Sequence, residues 1–396
     1  MKFSEAGRLR ILYFLAFSCT AAWQPIFAEY LNAHGITDLR MGVILAITPL
    51  LMFVVQPFYG MLADRFGYKK CLLISSILAS VSFIFYLFDG GFTYLMLITV
   101  FMSVFYNSTQ PLLDSLSLNF IKRNPSFSYG SLRIAGAAGW AFTGIIVGYF
   151  INKISTDVIF ISSAISMLLT FIFAFSLQYD KEKNASTEKL SIVKDLREIV
   201  QNKKLLILLF SVFLVYAAST PIYYFYSIYL KQNGATSFFT GFAISWQGLC
   251  ELPFFYFSAR IIRKLGTGTT LIVAVFATAL RLVLYYQVQN PYFVLPIELL
   301  QGVGWSLFWA ASVEQVNILV KDELRATGQS FLTGAMLGAG AIAGNLWASY
   351  LNGKQLPVSQ IFIMNAGIVV VIGIFMIWMM PRRSRRANDL NTNPQT

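Results

Sequence analysis

Five ionisable side chains stand inside long apolar stretches of this sequence: Asp114, Arg133, Glu251, Arg281 and Glu298. A charge in such surroundings is costly and by default marks a functional site. Their order suggests one acid–base pair in each half of the chain, Asp114 with Arg133 and Glu251 with Arg281. The chemistry open to such pairs is solute binding or proton exchange, in which an acid changes charge as its partner moves away. A static ion pair that holds helices in register is the competing reading. Glu298, and Glu314 nearer the end of its stretch, are read as reaching an interface as readily as a site. Trp140, seven residues after Arg133, and Trp246, five before Glu251, are candidate ligand contacts. Gln24 beside Pro25, and Pro221, mark bends near a solute path, because proline removes a backbone hydrogen bond. Covalent chemistry finds no counterpart. One histidine and three cysteines exclude a histidine-rich metal site and a disulfide scaffold. Cys19, Cys71 and Cys250 fall in apolar runs and read as small core residues. The sequence shows no nucleophile–base cluster and no G-x-x-x-x-G-K-[ST] loop. No cofactor, no metal and no enzymatic activity are expected.

The elements that must position these residues follow from composition. The chain has 396 residues, 57% hydrophobic and only 12% charged, with 36 phenylalanines. A soluble domain carries about 25% charged residues, so a polytopic membrane protein is expected. Spans of about 20 apolar residues are found at roughly 9–31, 41–63, 71–88, 93–121, 130–152, 157–178, 205–230, 238–262, 268–288, 293–320, 328–351 and 359–380. They must be helices, since an open strand leaves its backbone unsatisfied in lipid, and the short alternating segments of a barrel are absent. The first span has small residues at Ala21 and Ala22, like a signal peptide, but lacks a polar cleavage region and is read as a retained helix.

Twenty-four of the 30 lysines and arginines fall on the side of the termini and four on the other. This predicts both termini in the cytoplasm of an inner (plasma) membrane protein. The net charge of +12 is thus a topology signal and calls for no nucleic-acid partner. The longest polar stretch, 179–204, divides the spans six and six. The expected organisation is a six-helix bundle over 1–178, a linker over 179–204, a second bundle over 205–380 and a cytoplasmic tail over 381–396. In the linker, Leu190, Ile192, Val193, Leu196, Ile199 and Val200 share one helical face, the pattern of an amphipathic helix on the inner leaflet. The halves also match each other: Tyr30, Leu31, Gly35, Thr37 and Gly42 meet Tyr229, Leu230, Gly234, Thr236 and Gly241 at a constant offset of 199. Duplicated six-helix halves holding a solute near the midplane are a common transporter plan. Runs of small residues at 136–148 and 334–344 let helices approach closely and are read as the seams on which the halves rock.

Between the second and third spans stands GMLADRFGYKK, residues 60–70. It resembles the signature loop of the major facilitator superfamily, matching at Gly60, Leu62, Asp64, Arg65, Gly67 and Lys69 with the following lysine. The resemblance implies a twelve-helix, two-bundle fold and a gate, in which Asp64 faces the N-terminus of the helix beginning near Arg325 and holds the cytoplasmic side shut. The second half carries Arg263 where Asp64 would be, so the gate is asymmetric. The stretch YGSLRIAGAAGW, residues 129–140, is similar to the fifth helix of the lactose permease and phenylpropionate permease branch, whose Arg and Trp at this spacing contact substrate. By that resemblance Asp114, Arg133 and Trp140 are expected substrate-binding residues, and Trp246, near Glu251, and Gln24, beside the Pro25 bend, join them by position. Glu251, Arg281, Glu298 and Gln301 are the expected coupling residues, although Gln301 and Gly304 stand where that permease carries titratable groups and cannot titrate themselves.

The function expected is secondary active transport of a small solute (a sugar, nucleoside or aromatic acid) by a monomer in the lipid bilayer, with protons and by alternating access. A drug or metabolite efflux pump of the same fold is the alternative; a non-transport membrane receptor ranks below both, because it would be expected to carry a soluble signalling domain, for which the stretch after residue 380 is short.

Overall fold

The computed structural model describes residues 4–88, 90–127, 129–177, 201–321 and 324–379. Among them there is no strand, and twelve helical rods form. They are α1 (Glu5–Ala33), α2 (Asp38–Phe66), α3 (Tyr68–Phe85), α4 (Gly91–Arg123), α5 (Tyr129–Lys153), α6 (Val158–Phe175), α7 (203–232), α8 (Ser237–Leu265), α9 (Thr267–Gln287), α10 (Pro291–Leu319), α11 (325–353) and α12 (Val358–Met379). Ten of them are long and apolar enough to cross a membrane by length and composition. The other two, α2 and α8, have 29 residues each, about 43 Å of helix against a hydrocarbon core of about 30 Å. The fold is the expected all-helical membrane architecture of two pseudo-symmetric six-helix bundles. The amphipathic stretch at 190–200 and the tail at 381–396 lie outside the described residues.

Local chemistry sets the helix ends. Ser4, Asn202 and Thr236 cap α1, α7 and α8 by accepting backbone N–H bonds that the first turn leaves open. Gly67 (φ 95°) and Gly266 (φ 86°) end α2 and α8 in a left-handed conformation that glycine adopts without strain. These two turns lie 199 residues apart. A tyrosine corner repeats at the same interval: Tyr30 donates to the carbonyl of Tyr86 and Tyr229 to that of Tyr285, both at 2.8 Å.

An even number of rods brings both ends of the bundle to one side, here the terminal end. The halves meet along α5 against α8 and α2 against α11. On the first seam the backbones touch: a Cβ on Gly241 would lie 2.2 Å from the carbonyl oxygen of Gly144. The second seam differs from expectation. Gly340 and Gly344 close on the backbone of α7 in their own half, and α11 crosses to α2 further on, where Gly42 meets Leu346 and Ser349. Four contacts between the halves cluster toward the far end: Glu29 with Lys231 at 2.6 Å, Gln24 with Tyr224, Trp140 with the carbonyl of Ile244, and Asn345 with that of Leu45, the last three at 3.3 Å.

Candidate functional site

The charged residues of the second half gather on one buried network. α10 departs from regular helix over Gly302–Leu307, a wider π-helical stretch of the kind found at functional sites. Gly302 there sits on the carbonyl of Cys250, where a Cβ would stand only 2.4 Å away. That close approach brings Gln301 of α10 to Glu251 of α8, and its amide donates to Glu251 Oε1 at 2.7 Å. The same amide's oxygen accepts from Arg281 on α9. Arg281 pairs with Glu298 at 2.5 Å and donates through Nε to the hydroxyl of Tyr285 at 2.9 Å. Glu298 accepts further bonds from Tyr285 at 2.5 Å, from Tyr226, and from Gln247 at 3.4 Å. Arg281 is 2% exposed and Glu298 0%. The pair that forms is therefore Arg281 with Glu298; Glu251, the partner expected from sequence order, reaches the arginine only through Gln301. A buried charge needs every lone pair satisfied, and Glu298 has four donors where a lone contact would not hold it.

The first half builds a different arrangement. Asp114 on α4 accepts from two phenols on one oxygen, Tyr13 of α1 at 2.7 Å and Tyr129 of α5 at 2.8 Å. Arg133 does not touch Asp114. Its guanidinium donates to the Tyr129 hydroxyl at 2.9 Å and lies 5.5 Å from the ring centre of Phe17. The expected pair is thus a relay of acid, phenol and base, with Asp114 half-buried and Arg133 exposed.

The remaining candidates lie at another depth. Tyr13 precedes Gln24 by eleven residues on α1, about 16 Å of rise, so the Asp114 cluster is well toward the terminal end of Gln24. At Gln24–Ile26 α1 tightens into a 3₁₀ turn behind Pro25. α7 breaks between Thr220 and Phe225, behind Pro221. The offset of 199 carries 24–26 onto 223–225, so both halves interrupt the same helix at the same place, and Gln24 bonds Tyr224 across the gap. Trp140 lies with its indole on Gly248, one turn of α8 from Glu251. Trp246 instead donates to the carbonyl of Leu295 at 2.9 Å within its own half, which makes it a strut between α8 and α10. Trp305 packs edge-on or tilted among Tyr216, Tyr223 and Trp309, with ring centres 5.7 to 5.8 Å apart.

In the signature loop, Arg65 lies over the ring of Phe66 and Lys69 donates to the carbonyl of Leu177 at 2.5 Å, beside the ring of Phe175. The surroundings of Gly60 and the side chain of Asp64 lie outside what the structure describes. α11 does begin at Arg325, the helix start that the gate reading requires. An open pocket of about 360 Å³, lined by Gln232, Asn233, Asn352 and Gln355, sits at the far end of the second half and holds none of the buried charges. Among the described residues no cluster of three metal-ligating side chains exists.

The residues missing from the sequence reading are the phenols Tyr13, Tyr129, Tyr226 and Tyr285 and the amide of Gln247. With 20 tyrosines in the chain, none stands out by type. The internal repeat carries the missing signal: Ser82 and Thr99 of the first half become Arg281 and Glu298 at the offset of 199, a simultaneous gain of both charges.

A family model described as "MFS_1 like family" matches residues 7–364. The chain is similar to a maltose permease of Geobacillus stearothermophilus, 23% identical over 96% of this chain and 95% of that protein. It is also similar to the multidrug resistance protein MdtG of Citrobacter koseri, 25% identical over 93% of this chain and 92% of that protein. A crystal structure of the nucleoside transporter NupG superposes with a TM-score of 0.85, at 16% identity, over 96% of this chain and 100% of that one.

Proposed function

Because this chain belongs to the MFS_1 like family and is a major facilitator transporter, not an enzyme, we propose that it imports a small polar ring-shaped solute together with protons by alternating access. The observation that carries this reading is the pair of matched breaks in α1 and α7, joined by Gln24 and Tyr224 at the far end. Interrupted helices in corresponding positions of two repeats mark the substrate site of a secondary transporter. The halves close together at that end, which fits a state open toward the termini. In this reading the protein is a monomer of the inner membrane with cytoplasmic termini, and residues 1–178 and 205–380 are its two moving bodies. Glu251 is the coupling acid, because it is half-buried and has one side-chain donor, whereas Glu298 is fully enclosed. Asp64 closes the terminal side against the start of α11.

The test is uptake into proteoliposomes, screening sugars, nucleosides and aromatic acids with and without an inward proton gradient. Accumulation of one solute that collapses with the gradient is the expected result. Glu251→Gln is expected to retain solute exchange and lose uphill accumulation. Accumulation by this variant would remove Glu251 from the coupling role. Efflux is the second reading, favoured by the similarity to a multidrug resistance protein over nearly the whole chain. Extrusion against a gradient from vesicles of defined orientation separates the two.

A further inference from the structure

The seam between α5 and α8 keeps one register wherever it is closed. A Cβ on Gly148 would stand 2.7 Å from the carbonyl oxygen of Ser237. One on Gly144 would stand 2.9 Å from the carbonyl oxygen of Gly241 and 2.3 Å from the hydroxyl of Ser245, and one on Gly248 2.7 Å from the indole of Trp140. Each turn taken back along α5 is matched by a turn forward along α8, as a shared rise of about 1.5 Å per residue requires of antiparallel helices. Toward the terminal end the contact stops. α8 carries Pro253 in its interior there, and the residues around it are bare: Leu252 is 37% exposed and Tyr256 82%.

The register says what those bare residues would meet. Arg133 lies eleven residues before Gly144, and Leu252 and Tyr256 lie eleven after Gly241 and Ser245, the two residues that Gly144 adjoins. Eleven residues make about three turns, so all three keep the seam-facing side of their helices, with Arg133 level with the span from Leu252 to Tyr256. Side chains lean toward the N-terminus of their own helix. That direction is the terminal end for α5 and the far end for α8, so Arg133 leans past Leu252 and Tyr256 leans back toward it. The arginine is already held in place. It donates to the hydroxyl of Tyr129 at 2.9 Å, and Tyr129 donates to Asp114 at 2.8 Å. Phe17 flanks the guanidinium, which is otherwise exposed. Tyr256 packs edge-on against Phe257, ring centres 4.9 Å apart. A guanidinium stacks on aromatic rings and sheds water more readily than an ammonium, and its attraction to a ring grows as water leaves.

We infer that Arg133 and Tyr256, apart in this state, clasp when the terminal side closes, the guanidinium seating on the tyrosine ring as the seam zips past Pro253. Arg133 is then a residue of the closed state, positioned by Asp114 through Tyr129, and not a ligand of the solute. The inference rests on the alternating-access reading above and names a contact of the state opposite to the one described.

The test uses the full chain in native membranes, where the three cysteines of the sequence are buried, and a short bifunctional methanethiosulfonate. Arg133→Cys with Tyr256→Cys is expected to cross-link about tenfold faster than Ile134→Cys with Tyr256→Cys, since residue 134 is turned about 100° from the seam. A second measurement leaves Arg133 in place. Ala137→Cys, seven residues before Gly144 on the same face, reports opening of the seam through its labelling rate by a maleimide. Tyr256→Leu, at an exposed position, is expected to raise that rate about tenfold, the scale of a desolvated cation–ring contact. Tyr256→Phe keeps the ring and is expected to leave the rate unchanged. Arg133→Gln added to Tyr256→Leu is expected to raise it no further, because both changes remove one contact. Equal cross-linking of the two pairs, or labelling in Tyr256→Leu at the wild-type rate, overturns the inference and leaves Tyr256 as an aromatic residue of the lipid interface. The fate of the transport reading is separable. Selective cross-linking of 133 with 256, with no movement of maltose, uridine or 3-phenylpropionate in proteoliposomes under any gradient, would keep the clasp and defeat transport of these solutes. Proton-driven accumulation of one of them, undiminished in Tyr256→Leu and without selective cross-linking, would do the reverse.

Discussion

Carried 199 positions along the chain, the tyrosine corner of the first half lands on that of the second, and what surrounds it changes completely. Phe27, Ser82, Thr99 and Met102 are replaced by Tyr226, Arg281, Glu298 and Gln301. In the first half Tyr86 ends on the hydroxyl of Thr99 at 2.7 Å, a neutral contact in an aromatic core of Phe27, Phe83 and Phe160. In the second, Tyr285 ends on Glu298 and receives Arg281. The reverse holds nearer the terminal end. Tyr13 and Asp114 of the first half correspond to Val212 and Val313. One scaffold has thus been given two polar clusters that are not symmetry mates, one deep and sealed, the other shallow and half open. A shared backbone plan sets where a charge is tolerable, and side-chain substitution decides which half holds it.

The largest effect expected from breaking this contrast is on stability. Arg281→Met or Glu298→Met alone leaves a buried charge uncompensated and is expected to cost about 3–5 kcal/mol. The double change is expected to recover most of that loss, since a well-packed apolar pair replaces the ions. At the corresponding first-half position, Thr99→Val is expected to cost about 1 kcal/mol, one neutral hydrogen bond. Thermal unfolding in detergent checks all four proteins. Equal losses at Thr99 and Glu298 would end the claim that the second half alone is built around a charge.

Next in size is a phenol deletion made in both clusters. Tyr13→Phe removes one of two donors to Asp114, whereas Tyr226→Phe removes one of four to Glu298. A hydrogen bond to a charged group is worth about 1.5–3 kcal/mol, and the carboxylate with fewer remaining donors is expected to feel its loss more. The same melting measurement reads it. A larger loss for Tyr226→Phe would show that burial outweighs the number of partners.

A third contrast lies in the paired loops, where Asp64 corresponds to Arg263. Asp64→Asn is expected to lower turnover while solute affinity stays the same, and Arg263→Gln to leave turnover unchanged. Transport rate and equilibrium binding measured side by side decide this. A fall in affinity with normal turnover would remove Asp64 from the gate.

The smallest effect belongs to the ion pair Glu29–Lys231 at the far end, where the lysine side chain is 40% exposed. Partly exposed pairs are worth about 1 kcal/mol or less. Glu29→Gln is expected to raise, by a few-fold at most on that scale, the rate at which a thiol reagent labels Ser349→Cys, which is buried against Gly42. Unchanged labelling would mean that the glycine seams alone hold this end closed.

Much of this architecture is written in short stretches of chain. Helical spans were legible because lipid forces each backbone to satisfy its hydrogen bonds locally, so hydropathy over about 20 residues suffices to find them. The turns at Gly67 and Gly266, the bends at Pro25 and Pro221 and the repeat of 199 were legible for the same reason: each is a property of a few neighbouring residues. The ionisable residues of the site were legible as outliers among apolar ones. Their partners were not. Arg281 takes Glu298 and leaves Glu251 to Gln301, and Asp114 takes two tyrosines in preference to Arg133. A single residue turns a helix by about 100°, as 3.6 residues per turn requires, so which side chain faces which neighbour depends on how each rod is rotated about its axis. That rotation is set by packing, here by the π stretch of α10 and the contact of Gly302 with Cys250, and it exists only once the rods are assembled against one another.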